Sequence, residues 1–293
     1  MLIQSRRDRL RLIRQHDHGL VSGELAAAWE GSLGSGAWDR VVVLAASLHD
    51  LGWRELDETP RWNHDTGRPY DFLDFPPEPK YEAASEGIDR IEELHPYAAV
   101  LASLHYSTFG SPGRPSDFAG DEEDRRVELL DSLGDEAPGP RQIQADLQAL
   151  RLFDNLSLFL CLTPPGAEAS SRPSWLTPDL LRLPPWAVSE RGSAGEVAGT
   201  VGGGAGPESG SDPGDESGDG REASIHLTWL DDESVTLDLW PFREDTLEVK
   251  IPFRDLPNER FPDPGSLARA WSEAGESVWT VRLAGLGAGG AGE

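Results

Sequence analysis

The sequence predicts an α+β protein: a mainly α-helical bundle followed by a small C-terminal antiparallel β-sheet. Three observations carry this expectation. Apolar residues recur at helical spacing through residues 1–165. They alternate with polar residues at period two through residues 222–285. Between these regions, residues 192–221 are dominated by Gly, Ser, Asp and Glu. Such a segment buries too little to offset the entropy of ordering, so a flexible insert is expected there. Residues 166–191 then read as a connecting segment, and 286–293 as a disordered tail.

The opening "MLIQSRRDRLRLIRQ" alternates charged and apolar residues without a continuous apolar run, which is not the pattern of a signal peptide. The first helix lies in "DHGLVSGELAAAWE", where His18, Ser22, Leu25 and Trp29 fall at helical spacing. "AWDRVVVLAASLHD" is apolar nearly all round, so that helix is expected at the centre of the bundle. It ends in the His49–Asp50 doublet, and Gly52 then offers the chain a turn. The stretch "ETPRWNHDTGRPYDFLDFPPEP" is a long loop, and loops of that length inside a domain tend to be functional. "PYAAVLASLHYSTF" starts a helix at Pro96 and puts Ala98, Leu101 and His105 on one face. "RQIQADLQALRLFDNLSLFLCL" carries the clearest stripe: Leu147, Leu150, Asp154, Leu158 and Cys161.

Beyond the insert, Ile225, Leu227 and Trp229 alternate as a strand, "DDES" turns the chain, and Val235, Leu237 and Leu239 alternate again. Leu247 to Phe253 forms a third strand, "SLARAWSEA" a short helix, and Trp279 to Leu283 a last strand. "LWPF" ends its strand at Pro241 and is expected to cover the helical domain.

Composition narrows the function classes. The chain has 52 acidic and 26 basic residues, a net charge of −26, and its only lysines are Lys80 and Lys250. That charge repels nucleic acid and anionic membranes, so neither is an expected partner. A surface so acidic suits a salt-rich cytosol and suggests a halophilic source. The single Cys161, set among Leu158, Phe159, Leu160 and Leu162, reads as a buried inert thiol. No run approaches the roughly 18 apolar residues of a membrane span, so a cytoplasmic location is expected.

Asp154 sits where its stripe calls for Leu or Ala. A buried carboxylate without a partner costs several kcal/mol or is neutralised. His105 and His18 repeat the anomaly on two further helices, and His49–Asp50 ends the most apolar one. One divalent metal explains them together. Imidazole and carboxylate ligands without thiolate suit Mn, Fe, Co, Ni or Zn. Either His16 or His18 could serve from the first helix. His18 is preferred because it shares a face with Ser22, Leu25 and Trp29.

The ordered set of one His, the doublet "HDLG" and a late helical Asp resembles the HD superfamily of metal-dependent phosphohydrolases. More closely, "QHDHGLVSGELAAAW", "HDLGW", "TGRPYDF", "LASLHYSTF", "DNLSLFLC" and "LDLWPF" resemble an uncharacterised HD-like family, DUF3891. The superfamily resemblance implies metal ligation by His18, His49, Asp50 and Asp154. It implies catalytic duties for Asp50 and a second-metal or phosphate role for His105. Active members often place a basic residue after the doublet, as in HD-x-G-K. Here Trp53 takes that place and Arg54 follows. Arg54 or Arg68 would stabilise charge developing in the transition state. Asp57, His64 and Asp65, in the following loop, are candidates for an outer shell or a second metal. The leading expectation is a hydrolase acting on a small phosphorylated metabolite. The alternatives are an HD-like di-iron oxygenase and a non-catalytic metal- or ligand-binding regulatory protein.

Overall fold

The computed structural model describes residues 1–108, 117–166 and 224–286, together with Leu176, Leu183 and Ala187. The expected insert at 192–221 lies outside the described residues, as does most of 166–191 and of 286–293.

The chain opens with a hairpin, β1 (Leu2–Ser5) and β2 (Arg9–Ile13), before α1 (Gln15–Ala28), α2 (Asp39–Leu48) and the short α3 (Trp53–Leu56). Two-residue strands β3 (Trp62–Asn63) and β4 (Arg68–Pro69) pair within the long loop. Four helices follow: α4 (Pro77–Glu92), α5 (Pro96–Thr108), α6 (Phe118–Leu133) and α7 (Pro140–Leu162). The last region holds β5 (Leu227–Trp229), β6 (Ser234–Leu237), β7 (Thr246–Pro257), α8 (Pro264–Glu273) and β8 (Ser277–Gly285).

The expected mainly helical bundle with a small, antiparallel, C-terminal sheet is overturned. The sheet is six-stranded, mixed and strongly curled, in the order β1-β2-β7-β8-β6-β5. Two features escaped the sequence reading. The hairpin β1–β2 joins the sheet by pairing Arg9 to Leu12 with Pro257 to Arg254 of β7. β2 alternates Arg9 and Arg11 with Leu10 and Leu12, as a half-solvated strand would, and the partner strand lies far along the chain. The second feature is the parallel pair β6–β8, which aligns Ser234 with Arg282 and Leu237 with Gly285. A parallel pair needs a long crossover, and β7 plus α8 supply it.

Both faces of the sheet are covered. On one face Leu2, Ile13, Val249, Ile251, Val281 and Leu283 enter the core formed by α1, α2, α5 and α7. On the other, Leu10, Leu12 and Leu256 pack with Leu267 and Trp271 of α8. The "LWPF" segment reaches the helices as expected: Phe242 is buried and meets Trp29 edge-on at 6.2 Å. The predicted stripe of α7 is buried throughout, Cys161 included, as is the His18, Ser22, Leu25 and Trp29 face of α1. Among the described residues no helix is long and apolar enough to cross a membrane.

Gly52 has a different task from the one the sequence suggests. Its backbone is right-handed helical (φ −62°, ψ −25°), so it makes no special turn. It permits contact instead: a Cβ there would lie 1.9 Å from the Ala83 carbonyl oxygen, and a Cβ on Gly87 would lie 2.5 Å from the Gly52 nitrogen. Helix α4 thereby meets the residues after the doublet backbone to backbone.

Candidate metal centre

Five of the polar residues singled out in the sequence converge between α1, α2, α5 and α7. His18 lies on α1, His49 and Asp50 follow α2, His105 sits in the last turn of α5, and Asp154 is mid-α7. All five are buried. One ligand atom each from His18, His49 and Asp154 can be chosen so that all lie within 4.8 Å of one another, a group that could hold a metal ion.

Hydrogen bonding fixes what each ring offers. His49 Nδ1 donates to the Ala46 carbonyl at 2.9 Å, so its Nε2 carries the lone pair in the neutral ring. That Nε2 is buried and faces Asp154 Oδ1 at 3.3 Å and Asp50 Oδ2 at 3.7 Å. On α7 the Ser157 hydroxyl donates to the Asp154 carbonyl at 2.9 Å, which leaves its oxygen to accept from His18 Nδ1 at 2.8 Å. His18 Nε2 lies within hydrogen-bond distance of Asp50 Oδ2, 2.9 Å away. Each of these nitrogen–oxygen contacts needs a proton or a cation between its two atoms.

Asp50 is held from the other side. The Tyr106 hydroxyl donates to Oδ1 at 2.5 Å, and Trp53 Nε1 donates to the Tyr106 oxygen at 3.1 Å. Burial pushes the Asp50 carboxyl up, but His49 and His18 overrule it and hold it well below the usual carboxylate range. Asp154 is likewise raised by burial and lowered, on balance, by His49, His105 and His18. Burial lowers His49, but Asp50 and Asp154 outweigh it and push the ring up to about 9. His105 Nε2 lies 3.7 Å from Asp154 Oδ2, and burial carries its ring down to about 3, so it stays neutral. Two ionised carboxylates inside a ring of imidazoles form a buried negative site that a divalent ion would compensate.

The other candidates lie outside this cluster. Asp57 is buried, but its oxygens accept from the Met1 amino group and the Gln15 backbone N–H, both at 2.7 Å. It caps the start of α1. His64 and Asp65 sit exposed on the β3–β4 turn, paired with each other at 2.9 Å. Arg54 is exposed on α3. Arg68 donates to Asn258 Oδ1 at 2.9 Å, tying its turn to the sheet. His16 is half-buried beside the cluster, its pKa lowered by burial and by Arg54, with Asp50 opposing them. Sequence reasoning missed Ser157, Tyr106 and Trp53. Ser157 left one usable signal: it follows Asp154 by three residues on the same apolar face.

The sequence model of a family described as "Protein of unknown function (DUF3891)" matches residues 1–258. Neither a curated protein nor a solved structure matches the chain.

Proposed function

The chain belongs to the DUF3891 family, whose description assigns no activity, and from the geometry of its buried centre we propose that it is a metal-dependent hydrolase of the HD type acting on a small phosphorylated metabolite. The observation that carries this reading is His49 Nε2, buried and directed at the carboxylates of Asp154 and Asp50 while its Nδ1 is committed to Ala46. A ring whose second nitrogen is fixed by an acceptor is the usual state of a metal-bound histidine.

His18, His49 and Asp154 would hold the ion, with Asp50 beside them. When bound, such an ion supplies Lewis-acid chemistry, activating a water and polarising a phosphoryl oxygen. The protein's own groups do the rest. Ser157 orients His18, and Tyr106, braced by Trp53, orients Asp50. Asp50, ionised and facing the cluster, would orient the attacking water rather than take its proton, since its carboxyl is held well below the usual range. His105, neutral at Asp154, contributes a polar contact for substrate or for a second ion. Near-complete burial of the five side chains keeps bulk water away and strengthens each electrostatic contact. Mn, Fe, Co, Ni and Zn all suit this donor set.

The di-iron oxygenase reading needs further ligands between the doublet and Asp154. The exposed, mutually paired His64 and Asp65 disfavour it, leaving His105 alone for that part. Elemental analysis of purified protein is the test. Wild type is expected to carry about one or two equivalents of a transition metal, and His49→Ala and Asp154→Ala are expected to lose it while keeping wild-type circular dichroism. Folded wild type that takes up no metal from an excess of Mn²⁺, Fe²⁺ or Zn²⁺ overturns the reading.

A further inference from the structure

An HD-type phosphohydrolase often carries a basic residue shortly after the doublet, and here Trp53 stands in that place. Its indole is committed to Tyr106, and so to bracing Asp50. The next residue, Arg54, is exposed. Arg54 bears on His16, and Arg151 of α7 on Asp154 and His105, so a cation from a third element would face an anionic substrate beside them.

Helix α4 presents one. Lys80, Ala83, Ala84 and Gly87 fall at i, i+3, i+4 and i+7, one face of the helix. Ala83, Ala84 and Gly87 are the residues in backbone contact with Gly52 and its neighbours. Lys80 is the next turn of that face, about 5 Å further along the axis. No side chain separates α4 from the doublet's own turn, so the position of Lys80 relative to Asp50 is fixed by packed backbone. The ammonium is half-buried and donates to the Phe72 carbonyl at 3.1 Å. It has three protons to donate, and among the described residues no carboxylate lies within 4.0 Å of it to form an ion pair, although acids outnumber bases two to one in this chain. Burial lowers its pKa, and Asp50, ahead of Asp71, opposes that shift, so the doublet's field reaches it. Nearly every other basic residue is arginine. A compact ammonium suits a point contact with a phosphoryl oxygen, where a guanidinium would demand a planar partner.

We propose that Lys80, supplied by α4, is a cation that binds the phosphate of the substrate at the His/Asp centre. The proposal rests on the hydrolase reading above and names the substrate-binding group of that same site.

The test uses the full chain loaded with Mn²⁺ and inorganic phosphate as the probe, with affinity read from phosphate-dependent thermal shifts. Wild type is expected to bind phosphate, and Lys80→Gln to bind it at least about tenfold more weakly, the scale of one lost charge-assisted hydrogen bond. Lys80→Arg should recover part of the affinity. Lys250→Gln, on β7, should match wild type, and metal content should be equal in all four. Lys80→Met keeps the aliphatic stem and replaces the Gln variant if that misfolds. If Lys80 only anchored the Phe72 carbonyl, its loss would lower the melting temperature and leave phosphate affinity unchanged, and that result overturns the proposal. So does metal-loaded wild type that ignores phosphate. Wild type that holds no metal overturns the hydrolase reading first and this proposal with it.

Discussion

A histidine ring has two nitrogens, and the partner of one decides the use of the other. In this protein His18 gives Nδ1 to Ser157 and His49 gives Nδ1 to Ala46, so both present Nε2 to the acidic centre. Ser157→Ala should therefore weaken metal binding by about 10- to 100-fold, the usual effect of losing an outer hydrogen bond to a ligand, and a competition titration against a metal-sensitive dye would measure it. Proton linkage gives a second expectation. The metal-free His49 is pushed up to about 9 from an ordinary 6.5. A raised pKa means that its proton stabilises the fold fully below about pH 6.5, and that this contribution is lost as pH rises through about 9. A metal must displace that proton, so its affinity should rise over the same window by up to about tenfold per pH unit. Calorimetry at pH 6.5 and pH 9 would show it, and equal affinities would mean that His49 is not a ligand. His18, His105 and Asp154 were legible in the sequence because each is polar where its helix is apolar. Tyr106 and Trp53 were not, since buried aromatics are ordinary and only coordinates reveal where their polar atoms point.

Elements bring these residues together through contacts that residue types only partly announce. Helix α1 owes its placement to Asp57, whose carboxylate meets the Gln15 N–H at the positive end of the helix. The loop acid read as a possible outer ligand is instead a cap for the helix that carries His18. The seam between Gly52 and α4 is tighter still. A Cβ at Gly87 would meet backbone nitrogen at 2.5 Å and backbone carbon at 2.8 Å, atoms that cannot rotate away. Gly87→Ala should cost about 3 kcal/mol, the upper part of the range for overpacking, and denaturant titration would measure it. Moving α4 also moves Lys80, so the same variant should bind phosphate more weakly if it folds. The helices were legible because their stripes are long and regular. The β1–β2 hairpin was not, because its strands are short and β2 carries two arginines. Arg11 is buried through an ion pair with Asp255 at 3.1 Å and by lying 3.7 Å over the Phe253 ring, and both partners are on a strand more than 240 residues away.

At the scale of the molecule, the two halves read from the sequence share one core. Leu2 and Ile13 from the hairpin, Val249 and Val281 from the later strands, and the helical residues around Asp154 form a continuous apolar cluster. Period two reveals that strands exist but not their order, so the parallel β6–β8 pair had no local signal. The candidate metal centre lies within the helical part of this core and would draw its ligands from α1, the end of α2 and α7, with His105 from α5 close by. An ion held there crosslinks helices that otherwise meet mainly through apolar contacts, and it binds only the folded chain. At a free metal concentration of about a thousand times Kd, linkage gives about 4 kcal/mol of stabilisation, roughly 10 °C in melting temperature for a chain of this size. Removing the metal with a chelator should lower the melting temperature by that amount, and re-adding Mn²⁺ or Zn²⁺ should restore it. Asp154→Ala should abolish the metal-dependent part of the shift. Asp57→Asn should lower the melting temperature equally with and without metal, because Asp57 holds α1 and not the ion. A chelator effect that survives in Asp154→Ala would place the stabilising ion elsewhere in the molecule.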